Sequence, residues 1–120
     1  MKNNVLVLFC TLATSIIFAQ NNPLIHTPSL SPDGKIIAFN YQGDIWTVNL
    51  LGENLKRLTI HEAYDTNPVW SADGKTIAFQ SDRFGNDDVF TISVNGGIPK
   101  RITFHSANDQ VTDFTSDGTI

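Results

Sequence analysis

The chain has 120 residues, 41% of them hydrophobic, and a formal net charge of −4, a composition ordinary for a globular protein. Its eight Lys and Arg residues form only two adjacent pairs, Lys56-Arg57 and Lys100-Arg101, so the clustered basic surface that nucleic-acid binding requires is missing. Cys10 is the sole cysteine, which excludes a disulfide scaffold.

Residues 1–19 read as a secretory signal peptide. Met1-Lys2-Asn3-Asn4 is a short, weakly basic start, Val5–Phe18 carries no charge, and small Ala19 stands before Gln20 as the expected cleavage point. The stretch is short for a membrane span; an uncleaved anchor is the alternative, since Ile17 is bulky for its position. Phe9 precedes Cys10, where a lipoprotein site needs a small residue, so lipidation is not expected. Cleavage removes Cys10 and with it any thiolate for catalysis or metal binding. Export without disulfides suits a bacterial periplasm or cell surface.

Residues 20–120 repeat. Ser31-Pro32-Asp33-Gly34-Lys35-Ile36-Ile37-Ala38-Phe39 returns 40 residues later as Ser71-Ala72-Asp73-Gly74-Lys75-Thr76-Ile77-Ala78-Phe79. Asp44-Ile45-Trp46-Thr47-Val48 returns as Asp88-Val89-Phe90-Thr91-Ile92, and Lys56–His61 as Lys100–His105, now at an offset of 44. The second unit therefore carries four extra residues, within the stretch Gln80–Asp87. A third copy opens at Thr115-Ser116-Asp117-Gly118.

In the second unit, Pro68–Ser71 is expected as the first strand and Ser71–Gly74 as a turn. Asp suits the turn's centre and Gly its left-handed end. Lys75–Ser81 follows as a second strand whose Ile77-Ala78-Phe79 core lacks polar alternation, the pattern of a strand covered on both faces. Asp88–Val94 is the third strand, Asn95-Gly96-Gly97 a hairpin turn, and Lys100–Thr103 the fourth strand. Four antiparallel strands per 40–45 residues, repeated, describe an all-β fold, an incomplete β-propeller. The first blade spans about 27–60, the second about 67–104, and a third starts at about 111–120. A β-sandwich is the competing fold, but it does not require the same turn and strand core twice. Closed propellers of four to eight blades need roughly 170–340 residues.

No catalytic, cofactor-binding or metal-ligating residue is assigned. His61-Glu62 resembles the start of a zinc motif, but Asp65 stands where the second His belongs. His61 and His105 occupy equivalent repeat positions and read as structural; His26 carries no signal. Asp82, Asn86, Asp87 and Asp88 offer oxygens that suit Ca²⁺, set against a polar loop bonding its own backbone. Asp65 and Asp109 are expected to fix loop geometry between blades. Lys56-Arg57 and Lys100-Arg101 are expected to decorate outer strands. Trp46, Trp70, Phe79, Phe90 and Phe114 read as filling between stacked blades, with an aromatic ligand box as the alternative. Ser31, Ser71 and Ser116 lie in turns without an activating base.

The unit Ser-Pro-Asp-Gly-Lys-x-Ile-Ala-Phe … Asp-Ile-Trp … Arg-Leu-Thr resembles the propeller repeat of TolB and of tricorn-type peptidases. The longer runs Leu58–His61, Tyr64–Ser71, Ser81–Phe90 and Ile102–Asp109 are similar to the N-terminal propeller of secreted bacterial tricorn-like serine peptidases. The resemblance covers roughly residues 23–120. It implies a non-catalytic propeller that gates or guides peptide substrates toward a serine peptidase domain elsewhere in a longer protein. The implied partners are peptide or protein substrates and the remainder of that parent chain, with no cofactor and no nucleic acid; the membrane is met only through the signal peptide. A TolB-like protein-binding propeller of the cell envelope and the propeller of a prolyl-oligopeptidase-type hydrolase are the alternatives.

Overall fold

The structure, a computed structural model, describes residues 24–120; the proposed signal peptide lies outside them. Eight strands form two four-stranded antiparallel sheets, each a simple meander. The first sheet holds β1 (His26–Leu30), β2 (Ile36–Tyr41), β3 (Asp44–Asn49) and β4 (Lys56–Arg57). The second holds β5 (Asp65–Trp70), β6 (Thr76–Ser81), β7 (Asp88–Ser93) and β8 (Lys100–Arg101). Strand order follows chain order in both, and no helix occurs among the described residues. Two complete blades of a β-propeller are thus present, unclosed.

The repeated turn explains why each unit folds alike. Ser31 Oγ donates to Asp33 Oδ1 at 2.7 Å and accepts from Ile36 N at 2.9 Å. Gly34 N closes the turn on Ser31 O, with Gly34 at φ +71°. Ser71, Asp73, Thr76 and Gly74 make the same bonds at 2.6, 3.0 and 2.9 Å, with Gly74 at φ +69°. A β-carbon is disfavoured at these angles, hence the glycine. Thr115, Asp117 and Gly118 build the third copy, so the hydroxyl equivalent to Ser31 and Ser71 belongs to Thr115 and not to Ser116. Residues 111–120 form the turn without any strand.

Two strands differ from expectation by more than one residue. The fifth strand begins at Asp65, three residues before Pro68, because Asp65 N bonds Gly43 O at 2.8 Å across the sheet boundary. A register shift between Thr66 and Val69 absorbs Asn67, at φ +53°, and Pro68; the same irregularity recurs at Thr27-Pro28 in β1. The last strand stops at Arg101, short of Thr103. There Thr103 Oγ1 replaces a backbone partner, accepting from Val89 N at 2.9 Å, as Thr59 Oγ1 does from Ile45 N.

The core lies between the sheets. Ala38, Ile45 and Leu58 of the first unit meet Trp70, Ile77, Phe79, Phe90 and Ile92 of the second. Phe79 and Phe90, paired in register across β6 and β7, stack at 5.8 Å. Alternation along a strand sends Ala78 and Val89 to the opposite face, where Val111 and Phe114 cover them. The repeat equivalents of Phe79 and Phe90 are Phe39 and Trp46. With Ile25, Tyr41 and Leu55 they line an apolar recess of about 240 Å³ on the far face of the first sheet. Trp46 therefore lies on the face of the first sheet turned away from the second. Strand β5 packs against β1, β2 and β3, and Trp70 Nε1 donates to Ser29 O at 3.0 Å. The sheets approach along their first strands.

Candidate functional site

In a meander, alternate connections fall at opposite ends of the sheet. The Ser-Asp turns share one end with the β3–β4 and β7–β8 connections. The other end gathers the Gln42-Gly43 turn, the 58–64 connection, the long 82–87 loop and residues 102–110. Ionic and aromatic residues concentrate at this second end.

Each sheet places an aspartate at the first position of its third strand, and an arginine on its fourth, in register with the residue two further along (Trp46 with Arg57, Phe90 with Arg101), reaches back to it. Asp44 is buried and accepts from Arg57 Nε at 3.0 Å, Thr59 Oγ1 at 3.4 Å and His61 N at 3.2 Å. Asp88 is fully buried and its Oδ2 lies 2.7 Å from Arg101 Nη2. That contact is an off-line ion pair: among the described residues neither Asp88 oxygen takes an aligned hydrogen bond, and Arg101 Nε takes none. The arginines stand on the outer strands as expected and there serve as counter-charges of buried carboxylates. A third pair, Asp65 with Arg83, joins β5 to the long loop, Arg83 Nη2 donating at 2.7 Å to a fully buried Asp65.

The loop's polar groups bond the neighbouring connections. Asp82 Oδ1 accepts from Tyr64 N at 2.8 Å, and Asn86 Nδ2 donates to His105 O at 3.0 Å and Ala107 O at 2.8 Å. Asp87 N donates to Asn108 Oδ1 at 3.1 Å. Asp88 faces Arg101 from inside the sheet, so the four residues considered for Ca²⁺ do not converge. Among the described residues, no three His, Cys, Asp or Glu side chains gather as a metal site. Asp109 N donates to Asp87 O at 2.7 Å, the bond Asp65 makes to Gly43, so both aspartates tie consecutive units together.

His61 Nδ1 accepts from Ala63 N at 2.9 Å, and His61 and His105 both lie on the surface. The Ser31 and Ser71 hydroxyls are committed to Asp33 and Asp73 at the other end. No hydroxyl–imidazole pair forms among the hydrogen bonds of the described residues. Sequence reasoning missed Phe84 and Phe104. The Arg101 guanidinium carbon sits 4.3 Å from the Phe84 ring centroid and 4.7 Å from that of Phe104, and Phe84 stacks in turn on Phe90 at 6.3 Å. The available signal was an aromatic residue in an otherwise polar insertion.

The turn aspartates titrate abnormally. The Ser31 hydroxyl, then the Lys35 backbone N–H, hold Asp33 below 3.8; Ser71 and Lys75 do so for Asp73, and Thr115 and Thr119 for Asp117. These bonds favour the charged carboxylate. With the folded value depressed, the stabilisation is present above the unfolded value and disappears as pH falls below about 3.8 toward the folded one. Denaturant unfolding followed from about pH 5 downward through the acid range should show a smaller acid loss in Asp33→Asn/Asp73→Asn than in the parent. An identical acid loss in both would remove these turns as its cause.

Comparison with known proteins follows the repeat. The family model for the tricorn protease N-terminal beta propeller domain matches residues 22–120. Dipeptidyl-peptidase 5 from Porphyromonas gingivalis is 38% identical over 68 residues, covering 48% of this chain and 10% of that protein. The crystal structure of TolB from Acinetobacter baumannii superposes with a TM-score of 0.67 at 31% identity, covering 78% of this chain and 24% of that one. The tricorn protease crystal structure gives 0.69 at 24% identity over 80% of this chain and 10% of that one, a likeness of fold. The chain spans about a tenth of the curated relative's length.

Proposed function

The chain belongs to the tricorn protease N-terminal β-propeller family, and from that membership we propose that it is the non-catalytic propeller part of an exported tricorn-like serine peptidase. In this role the propeller guides peptides toward a catalytic domain carried elsewhere in a longer protein. The observation that carries the reading is the family match across nearly all of residues 20–120, on a fold whose repeated polar groups serve turns and ion pairs. The relative named dipeptidyl-peptidase 5 supports a peptidase parent. The likeness to TolB supports a second reading, a protein-binding propeller of the cell envelope without an attached enzyme.

The test is expression of the complete gene product with its N-terminus intact. The exported protein should begin at Gln20 and hydrolyse a mixed peptide pool, and Ser31→Ala and Ser71→Ala should leave that hydrolysis within about twofold, because these buried hydroxyls serve the turns and no reacting group. A product that binds protein partners but cleaves no peptide would replace the peptidase reading with the TolB-like one. Loss of cleavage on Ser71→Ala would place chemistry inside this chain. A mature protein retaining Met1–Ala19 would end the proposal of a cleaved signal.

A further inference from the structure

The 82–87 loop is the one feature by which the second unit departs from the first, and it is anchored on both flanks. Asp82 and Arg83 bind Tyr64 and Asp65 on the preceding connection, and Asn86 and Asp87 bind residues 105–108 on the following one. Between these anchors Phe84 remains 61% exposed. Its ring lies parallel to Phe90 and close to the Arg101 guanidinium, which also meets Phe104, itself 70% exposed. Two large aromatic rings thus gather at the surface about a cation already paired with Asp88.

A blade stacked as the second sheet stacks on the first would leave Phe104 open. Ile60, the first-unit equivalent of Phe104, stays 76% exposed although the second sheet follows it directly. Exposed aromatic surface that survives stacking, rimmed by polar groups, marks an interaction site. The surrounding charge is acidic. Glu62, Asp82 and Asp87 lie on the connections at this end, and Asp109 keeps one carboxylate oxygen buried, whereas Arg83 and Arg101 are each held by an aspartate.

We propose that Phe84, Arg101 and Phe104 form a docking platform for an extended peptide that pairs a large apolar side chain with a lysine or arginine. The apolar side chain lies against the two rings, and the basic residue meets the acidic rim. Carboxylates at the rim repel phosphate, which argues against nucleic acid or an anionic lipid surface as occupant. The choice of a peptide rests on the proposed role in a peptidase.

The test uses the complete gene product and three fluorescent nine-residue peptides of otherwise equal composition. One carries Phe and Lys, one Phe and Glu, and one Ser and Lys. The Phe/Lys peptide should bind tightest, and Phe84→Ser/Phe104→Ser should weaken it about tenfold, the scale of two lost aromatic contacts. Phe84→Tyr/Phe104→Tyr should retain binding, so the proposal stays testable if the serine pair fails to fold. Equal binding of the three peptides, or binding indifferent to the serine pair, would overturn the platform. Peptide hydrolysis in the same preparation separates the two readings. Cleavage with binding indifferent to the rings overturns the platform and leaves the peptidase role standing. Ring-dependent binding without cleavage supports the platform and removes the peptidase role.

Discussion

Replacing Asp65 with alanine is expected to destabilise the protein by about 3–5 kcal/mol, the scale for removing one partner of a buried ion pair. Asp65 is fully buried and Arg83 nearly so, its side chain 12% exposed. The joint between units at this point is made by the backbone, Asp65 N bonding Gly43 O and Asn40 Nδ2 donating to Asp65 O, and an alanine keeps those bonds. The cost of the alanine variant is therefore that it leaves the buried arginine without its counter-charge. Asp44→Ala should cost less, because the Arg57 side chain is 41% exposed and recovers hydration. Urea unfolding of the complete protein ranks the two, and a double variant, Asp65→Leu/Arg83→Met, should recover much of the loss. Equal destabilisation by Asp44→Ala and Asp65→Ala would refute the ranking by burial.

Phe79→Ala should cost about 3–5 kcal/mol as well, from lost burial and from the cavity left behind. Phe79 has no exposed surface, stacks on Phe90 and fills the space between the sheets. Phe84→Ala, on a ring that is mostly exposed, should cost less than half as much while weakening peptide binding. The pair of measurements separates residues that hold the blades together from residues that face a partner. A Phe84→Ala loss of stability equal to that of Phe79→Ala would show that the loop aromatic is structural.

The division between what was readable and what was not follows from which interactions are local. The Ser-Asp-Gly turn could be read because its bonds span five residues or fewer, and the same residues recur at a fixed period. The strand cores could be read because Ile77-Ala78-Phe79 has to be buried on both faces, and it is. The partners of the buried aspartates could not be read. Asp44 and Asp88 find arginines 13 residues on, whereas Asp65 finds its arginine 18 residues on, in a loop the first unit lacks. Strand β5 starts earlier than its proline suggested, since a bond to the previous sheet holds Asp65 in place.

By itself the sequence determined the all-β repeat, the four-strand plan of each unit and the turns that close it, because period and turn chemistry are properties of neighbouring residues. Only the tertiary structure decided which charges neutralise one another, which sheet face meets the neighbouring sheet and which aromatics meet. Phe84 and Phe104 are 20 residues apart in the chain and come together only because β8 lies beside β7 and the 82–87 loop is tied down at both ends. The direction of a side chain and the reach of a loop depend on the packed fold, and neither is encoded in spacing.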